Sequence, residues 1–481
     1  MNKNYAAVIG RTEQKKIFEE AINSSRSEFM VVYGRRRVGK TFLIKNVLGS
    51  RINFEMIGIQ NGDLSDQLQN FADKLFEFSG QEKARPKSWM QAFSQLKRYL
   101  IGLNQDRKKV IFLDELPWID THKSKFLSML GHFWNDWAIY NHVLLVVCGS
   151  AASWMINNVL NDKGGLHNRV TQYLPLKAFN LLETEQFLQA RNIKVSRYQV
   201  VQIYMVLGGI PYYLDLLKPS QSIPQNIDRL CFDINGFLRD EFERLYKSLF
   251  DKAERHIAVV KALASKWKGL NRKDIAKLTG LGNSGSLTRV LRELEKSAFI
   301  QTYYPFGRKK KGSIYRLTDN FSLFYLKFMA QKGLNHQRTA FLKLFTEQKY
   351  RIWCGYAFEN TCFIHYRQIA KALGIAMIVH EFSSFQYQGD DEYDGMQIDL
   401  LVARADGIIN LCEVKFANAT YKLTNDYKNT LLERADAFAA IQQTKKSILT
   451  TLITTYGLKN ANAHLDVIQN VVTLEDLFQY A

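Results

Sequence analysis

At 481 residues and 55.7 kDa the chain is too long for one hydrophobic core, and at about 150 residues per domain it should hold roughly three to four. A hydrophobic fraction of 46% with 13% aromatic residues excludes a disordered chain. The net charge of +19 favours a polyanionic partner such as nucleic acid, although the same excess also serves solubility.

Five cysteines (Cys148, Cys231, Cys354, Cys362 and Cys412) are scattered without a C-x-x-C pair, so neither a zinc site nor a disulfide framework is signalled. A reducing, cytoplasmic setting fits. The N-terminal text MNKNYAAVIGRTEQKK lacks the apolar core of a signal peptide, and no apolar run approaches the roughly 18 residues of a membrane span.

A first amphipathic helix is expected from Thr12, its N-cap, to about Ser24, with Ile17, Phe18, Ala21 and Ile22 on one face. The apolar run Phe29 to Tyr33 then breaks at Gly34, and Gly39, Lys40 and Thr41 open the next helical segment. This is GxxxxGK[ST] between a strand and a helix, the context that gives a phosphate loop its meaning. Backbone N–H groups and the helix N-terminus converge on phosphate oxygens there. The nucleotide cradle is therefore Gly34, Arg35, Arg36, Arg37, Val38, Gly39, Lys40, Thr41 and Phe42. Lys40 would reach the β- and γ-phosphates of ATP, and Thr41 would ligate Mg²⁺.

A second strand is expected within Arg51 to Ile59, then helices near Ser65 to Phe78 and Trp89 to Leu103. Val110 to Leu113 reads as a buried strand ending in Asp114 and Glu115. A carboxylate at that edge can hold Mg²⁺ and its neighbour can polarise water, so Asp114 is assigned to the metal and Glu115 to catalysis. The strand Val143 to Cys148 ends at Gly149-Ser150. Ser150 either touches the γ-phosphate and attacking water or caps the helix from Ala151. Arg169 is either a charge-stabilising arginine at the γ-phosphate or a surface ion-pair partner. Gly208 and Gly209 followed by Pro211 read, on spacing alone, as a corner between helices.

Taken together and in this order, GRRRVGKT, FLDELPWI, CGS and LGGIP resemble the archaeal-type ATPase family of the STAND branch of AAA+-like P-loop ATPases, over about Val8 to Asp251. That resemblance implies a helical lid in which Gly209 and Pro211 lie near the nucleotide.

From His256 to Asp319 the pattern is helix, helix, helix, strand, basic turn, strand, a winged helix-turn-helix reading. Arg289 and Arg292 fall on its recognition helix, and Arg308, Lys309, Lys310 and Lys311 form a basic wing that suits phosphates. Such a module also serves as a protein–protein spacer. An aromatic helix, Phe321 to Ala330, follows as a connector.

Beyond Tyr350 another α/β unit is expected. A helix from Trp353 to Leu373 contains Glu359, and a strand Ile375 to Phe382 leads into an acidic loop, Gln388 to Gly395. QIDLLVAR and IINLCEVKF then form a hairpin. Period-2 geometry places Glu413 and Lys415 on one face, with Asp399 on the paired strand able to face the same place. Two carboxylates and a lysine at a strand edge suit a metal that activates water, with Glu359 completing the shell. A hairpin with a solvated polar face is the bland alternative. The order of elements resembles the PD-(D/E)XK, restriction-endonuclease-like fold, with Ile398 where a proline is common.

The expected architecture is thus an α/β multidomain chain. It has a P-loop parallel-sheet ATPase core (1–180), a helical lid (181–252), a winged helix (253–319), a helical connector (320–349) and a nuclease-like domain (350–481). The expected function is ATP binding and hydrolysis by a protein acting on DNA, with Mg²⁺ as cofactor, a metal-dependent nuclease domain, a possible homo-oligomeric state and no membrane partner. The competing readings are a nucleotide-controlled switch or scaffold that does not cut, and a transcription regulator.

Overall fold

The computed structural model describes residues 8–81, 84–162, 164–307, 312–330 and 340–480. Contacts divide the chain into two compact units, Met1–Lys177 and Ala178–Ala481.

The first unit is built on five strands: β1 (Glu28–Tyr33), β2 (Ile52–Ile57), β3 (Lys109–Asp114), β4 (Val143–Gly149) and β5 (Gln172–Pro175). They are all parallel, in the order β2-β3-β4-β1-β5. Every residue of β3 and β4 is buried, which is why both strands read as continuous rather than alternating apolar runs. The helices Leu64–Ser79, Trp89–Ile101 and Phe126–Asp136 cover one face and bring Phe71, Trp89, Phe126 and Trp134 against Phe29, Ile111 and Leu145. The first helix is Thr12–Asn23, but its cap is Arg11 in a left-handed conformation, not Thr12. The Arg11 guanidinium is drawn inward to the carbonyls of Val38 (3.2 Å) and Lys177 (2.8 Å), and that pull sets where the helix begins.

The second unit opens with helices Leu181–Ala190, Arg197–Leu207 and Pro211–Asp215. Gly208 (φ 69°) ends the second of these, and Gly209 (φ 64°) follows it. A Cβ on Gly209 would lie 2.3 Å from the Phe179 carbonyl oxygen, so the corner needs glycine for space as well as for conformation.

Three helices (Ala253–Ala264, Arg272–Thr279, Gly285–Lys296) then pack with a small antiparallel sheet of β6 (Leu270–Asn271), β7 (Ile300–Tyr303) and β8 (Ile314–Leu317), ordered β6-β8-β7. The two-residue β6 was not expected from the sequence. The connector, Asn320–Phe324 continued by a wider turn Tyr325–Met329, is largely buried and sets the Phe324 and Phe328 rings edge-on against Trp353.

The C-terminal sheet is mixed. It runs β13-β12-β11-β10-β9, from β9 (Val379–Tyr387), β10 (Met396–Arg404), β11 (Ile408–Lys415), β12 (Ser447–Thr454) and β13 (Asn470–Val472). β9, β10 and β11 are successively antiparallel, while β12 and β13 extend the sheet in parallel. The helix Asn425–Gln442 makes the crossover from β11 to β12 and packs Phe438 on Ile398, Leu401 and Leu411.

The single helix expected over Trp353 to Leu373 is two helices, Gln348–Ile364 and Tyr366–Ala372, broken at His365. The buried His365 ring explains the break. Nδ1 lies 2.8 Å from the Thr361 carbonyl, and Nε2 accepts the Leu181 N–H at 3.1 Å. That N–H belongs to the first turn of a helix and would otherwise lack a partner. A ring that donates at Nδ1 and accepts at Nε2 is neutral. Burial accordingly lowers its pKa from the ordinary 6.5 to about 4.

A depressed histidine favours the fold where it is neutral, so this contribution is complete above pH 6.5 and is lost as pH falls towards 4. The difference is worth on the order of 3 kcal/mol. Denaturant midpoints of the wild type should therefore fall more steeply between pH 7 and pH 4.5 than those of His365→Gln. Identical slopes would remove His365 as the titrating group.

Candidate functional site

The phosphate loop joins β1 to the helix Lys40–Leu48. Gly34 leaves the strand at φ 155°, and a Cβ there would lie 2.2 Å from the Leu176 carbonyl oxygen. Gly39 caps the helix at φ 88°. Between them Arg35 and Val38 are buried and Arg37 is left-handed at φ 73°, while Phe42, on the helix that follows, is exposed. The Lys40 ammonium spans the loop, donating to the carbonyls of Gly34 (3.0 Å) and Arg35 (3.2 Å). Arg11 holds the loop from outside through the Val38 carbonyl, a contact whose only trace in the sequence is the Ile9-Gly10-Arg11 triplet.

β4 lies between β1 and β3, so the ends carrying Tyr33, Gly149 and Asp114 finish side by side. The Thr41 hydroxyl donates to Asp114 Oδ2 at 2.7 Å. Asp114 Oδ1 accepts from the Glu115 N–H at 3.0 Å and the Cys148 thiol at 2.9 Å. Burial pushes the Cys148 thiol well above its usual pKa and keeps it a donor. Glu115 is left-handed (φ 48°, ψ 54°), a conformation costing a non-glycine residue on the order of 1 kcal/mol or more. Its Oε2 accepts both the N–H (3.0 Å) and the hydroxyl (2.9 Å) of Ser150. Ser150 thus holds the Glu115 carboxylate. The following helix, Ala152–Met155, has Ala151 at its cap, not Ser150.

Asp114 and Thr41 put a carboxylate and a hydroxyl oxygen together beside the loop, an oxygen-donor set of the kind Mg²⁺ takes. Arg169 is exposed on the turn before β5, and no described contact ties it to the loop. Gly209 and Pro211 form the corner of the second unit described above.

The second set of residues lies in the unit Ala178–Ala481. Asp399 sits at a register shift of β10, between Ile398 and Leu401, an irregularity of the kind that re-aims a side chain. Its Oδ1 accepts from Lys268 Nζ at 2.8 Å and Gln397 Nε2 at 3.3 Å. Glu359, on the buried helix Gln348–Ile364, is raised by burial first and by the Asp399 charge second. Arg316 on β8 is buried, with its guanidinium 4.7 Å over the Phe363 ring. Glu359 and Asp399 both act on its charge.

Glu413 and Lys415 share a face of β11, as their spacing predicts, and form an ion pair at 2.7 Å. Glu413 also receives Arg434 Nη1 at 2.8 Å and the Tyr427 hydroxyl. Burial raises the Glu413 carboxyl, but Lys415, Tyr427 and Arg434 outweigh it, and the net displacement is downward. Among the described residues, no group of three or more His, Cys, Asp or Glu side chains converges as a metal would require. Amines and guanidinia meet these carboxylates instead.

Tyr427, Leu431 and Arg434 recur at helical spacing on one face of Asn425–Gln442, a periodicity that could have flagged Arg434. Lys268 and Arg316 carried no such signal. Arg289 and Arg292 are exposed on the helix Gly285–Lys296. Arg308, Lys309, Lys310 and Lys311 lie outside the described residues. All five cysteines are buried and free. No helix among the described residues is long and apolar enough to cross a membrane.

A phosphate loop at the end of β1, beside Asp114 and Glu115 at the end of β3, the next parallel strand but one, defines a P-loop ATPase domain. Residues 10–217 match the family described as an ATPase domain predominantly from Archaea, a span that includes the loop, Asp114, Glu115, Ser150, Arg169, Gly209 and Pro211. The chain is 27% identical over 329 residues to the uncharacterized protein MJECL04 of Methanocaldococcus jannaschii, covering 67% of this chain and 68% of that one. A second protein of that organism, the uncharacterized ATP-binding protein MJ0423, is 40% identical over 43 residues, 9% of this chain and 73% of its own. Among solved structures, the Walker-type ATPase PABY2304 of Pyrococcus abyssi aligns with a TM-score of 0.47 at 14% identity, over 66% of this chain and 96% of that one.

Ser150→Ala removes one of the two donors on Glu115 and leaves the backbone N–H in place. A hydrogen bond to a charged group is worth about 1.5–3 kcal/mol, so ATP turnover should fall about tenfold or more. Equilibrium binding of ATP should stay within about twofold, because Ser150 positions Glu115 without forming the loop. Equal losses in binding and turnover would argue against this role.

Proposed function

We propose that the chain binds and hydrolyses ATP at the phosphate loop, acts on DNA, and carries a metal-dependent nuclease site in its last 130 or so residues. The observation that carries the ATPase reading is the Glu115 carboxylate held by Ser150 beside the Thr41–Asp114 pair. In this reading phosphate oxygens replace the Gly34 and Arg35 carbonyls as acceptors for Lys40. Glu115 orients the attacking water and accepts its proton. Thr41 and Asp114 would hold Mg²⁺, which supplies neutralisation of the β- and γ-phosphate charge. Arg169 is a candidate for charge stabilisation at the γ-phosphate, and the family resemblance implies that Gly209 and Pro211 lie near the nucleotide.

Three features support action on DNA. The chain carries a net charge of +19. Its segment 253–319 has the helix and strand order of a winged helix. Arg289 and Arg292 stand exposed on the last of that segment's helices, where phosphate contacts would be made. For the nuclease reading, the support is the E-x-K pair on β11 beside the register-shifted strand that carries Asp399, in a sheet with the crossover order of restriction-endonuclease-like folds. As arranged, Glu359, Asp399 and Glu413 do not form a metal shell. The ion pairs on Asp399 and Glu413 favour a second reading, a nucleotide-controlled switch whose C-terminal domain binds without cutting.

Two measurements separate these. Glu115→Gln should keep ATP binding and lose about 10²–10⁴ in turnover, whereas Lys40→Ala should lose both. Unchanged turnover in Lys40→Ala would remove the phosphate-loop assignment. In a matrix of nucleotide and divalent-cation conditions, Mg²⁺- or Mn²⁺-dependent cutting should disappear in Asp399→Ala and Lys415→Ala. Cutting that survives in both would remove the assignment of Asp399 and Lys415, and no cutting of any DNA or RNA by the wild type would leave the switch.

A further inference from the structure

Lys268 belongs to neither the sheet nor the helices that carry the C-terminal carboxylates. It lies on the short link between the helix Ala253–Ala264 and β6, yet its ammonium reaches Asp399 across 131 positions of sequence. Several contacts fix that reach. Trp267 stacks on Tyr356 of the helix Gln348–Ile364, with ring centroids 5.3 Å apart and planes 13° from parallel. The Lys268 carbonyl accepts the Tyr303 hydroxyl at 2.5 Å. Gly269, at φ 89°, lets the link press on β8, where a Cβ would lie 2.4 Å from the Tyr315 carbonyl oxygen. The lysine is delivered to Asp399 by a constrained backbone, unlike a loose surface side chain.

Arg316 comes from the same segment. It is buried beside Phe363 and acts on both Glu359 and Asp399. Of the carboxylates that the sequence assigns to a metal, Asp399 is thus ion-paired with Lys268 of 253–319, and the charge of Arg316 acts on both Asp399 and Glu359. Glu413 has its own two cations, Lys415 and Arg434. Across this region the three carboxylates Glu359, Asp399 and Glu413 are accompanied by four basic groups, Lys268, Arg316, Lys415 and Arg434, without converging on one point. A divalent cation needs free carboxylate oxygens and would enter a region already compensated in charge.

We infer that Lys268, backed by Arg316, is a built-in plug of this site: segment 253–319 holds the carboxylates of 350–481 closed to divalent cations, and the site opens when Lys268 withdraws. This rests on reading Asp399, Glu413 and Lys415 as a metal-dependent site. The closed state then belongs to the arrangement of the two segments, with the carboxylates themselves intact.

The test is Mn²⁺ binding to the full chain without nucleotide, followed by electron paramagnetic resonance of the free ion. Wild type, Lys268→Gln and Lys268→Met are each compared with and without Asp399→Asn. Met keeps the length of the stem without the charge, so it guards against a folding defect particular to one variant. Mn²⁺ bound elsewhere, including at Asp114, is common to all and cancels in the comparison. The expected result is that Asp399→Asn changes nothing in the wild-type background. The Lys268 variants should gain binding at least about tenfold tighter, and Asp399→Asn should abolish that gain. A wild type that already loses Mn²⁺ on Asp399→Asn, or Lys268 variants that gain no Asp399-dependent binding, would overturn the plug. Variants that gain the Mn²⁺ site yet cut no DNA would uphold it while removing the nuclease reading.

Discussion

The insertion of β4 between β1 and β3 is the constraint on which the nucleotide site depends. Parallel pairing on both sides of β4 aligns Tyr33 with Gly149 and Leu113 with Val147, so three strand ends finish at one level. The loop after β1 then meets the carboxylates after β3, and the residue after β4 stands beside them. Thr41, Asp114, Glu115 and Ser150 come from three separate strand ends, and the register alone brings them within hydrogen-bond reach. β3 and β4 are buried along their whole length, so this part of the sheet is covered on both faces. Backbone strain at Glu115 is tolerated at the edge of this rigid platform, where two hydrogen bonds from Ser150 compensate it.

A different constraint governs the second unit, where charge must be balanced out of water. Asp399, Glu359 and Glu413 are wholly or partly removed from solvent, and a carboxylate so placed needs either a proton or a cation. The chain supplies cations from four different elements. Lys415 comes from the same strand as Glu413, Arg434 from the crossover helix, Arg316 from β8, and Lys268 from the link before β6. Local periodicity points to the first two of these, and nothing local points to Arg316 or Lys268.

That difference accounts for what the sequence made legible. The phosphate loop, the Asp114-Glu115 strand end, the E-x-K strand and most element boundaries rest on short-range pattern, and pattern is what a sequence displays. The cap at Arg11, the break at His365 and the register shift at Asp399 are local shapes imposed by distant partners: the Lys177 carbonyl, the Leu181 N–H and the β9 pairing. Lys268 sits in the text KWKGLNRK, where its charge resembles that of its solvated neighbours. Arg316 hides inside an apolar strand, IYRL, whose alternation gives no hint that the arginine faces inward. Ser150 was legible as a residue worth naming, but its partner was not, since reach to Glu115 depends on strand order.

The ion pair between Lys268 and Asp399 also constrains how such a site can open. Removing one member of a partly buried pair leaves the other uncompensated, a cost of several kcal/mol, so neither a metal alone nor an anion alone is well placed to separate them. A metal taking Asp399 would strand the lysine, and a phosphate taking Lys268 would strand the carboxylate. On the proposed reading, Asp399 would serve a divalent cation and Lys268 a phosphate of the polyanion, so that each half of the pair would keep a partner of opposite charge. On the proposed reading, a site closed in this way responds to the combination of metal and polyanion more strongly than to either component. The same ion pair that prevents idle metal loading would then become a contact to the substrate backbone once 253–319 shifts.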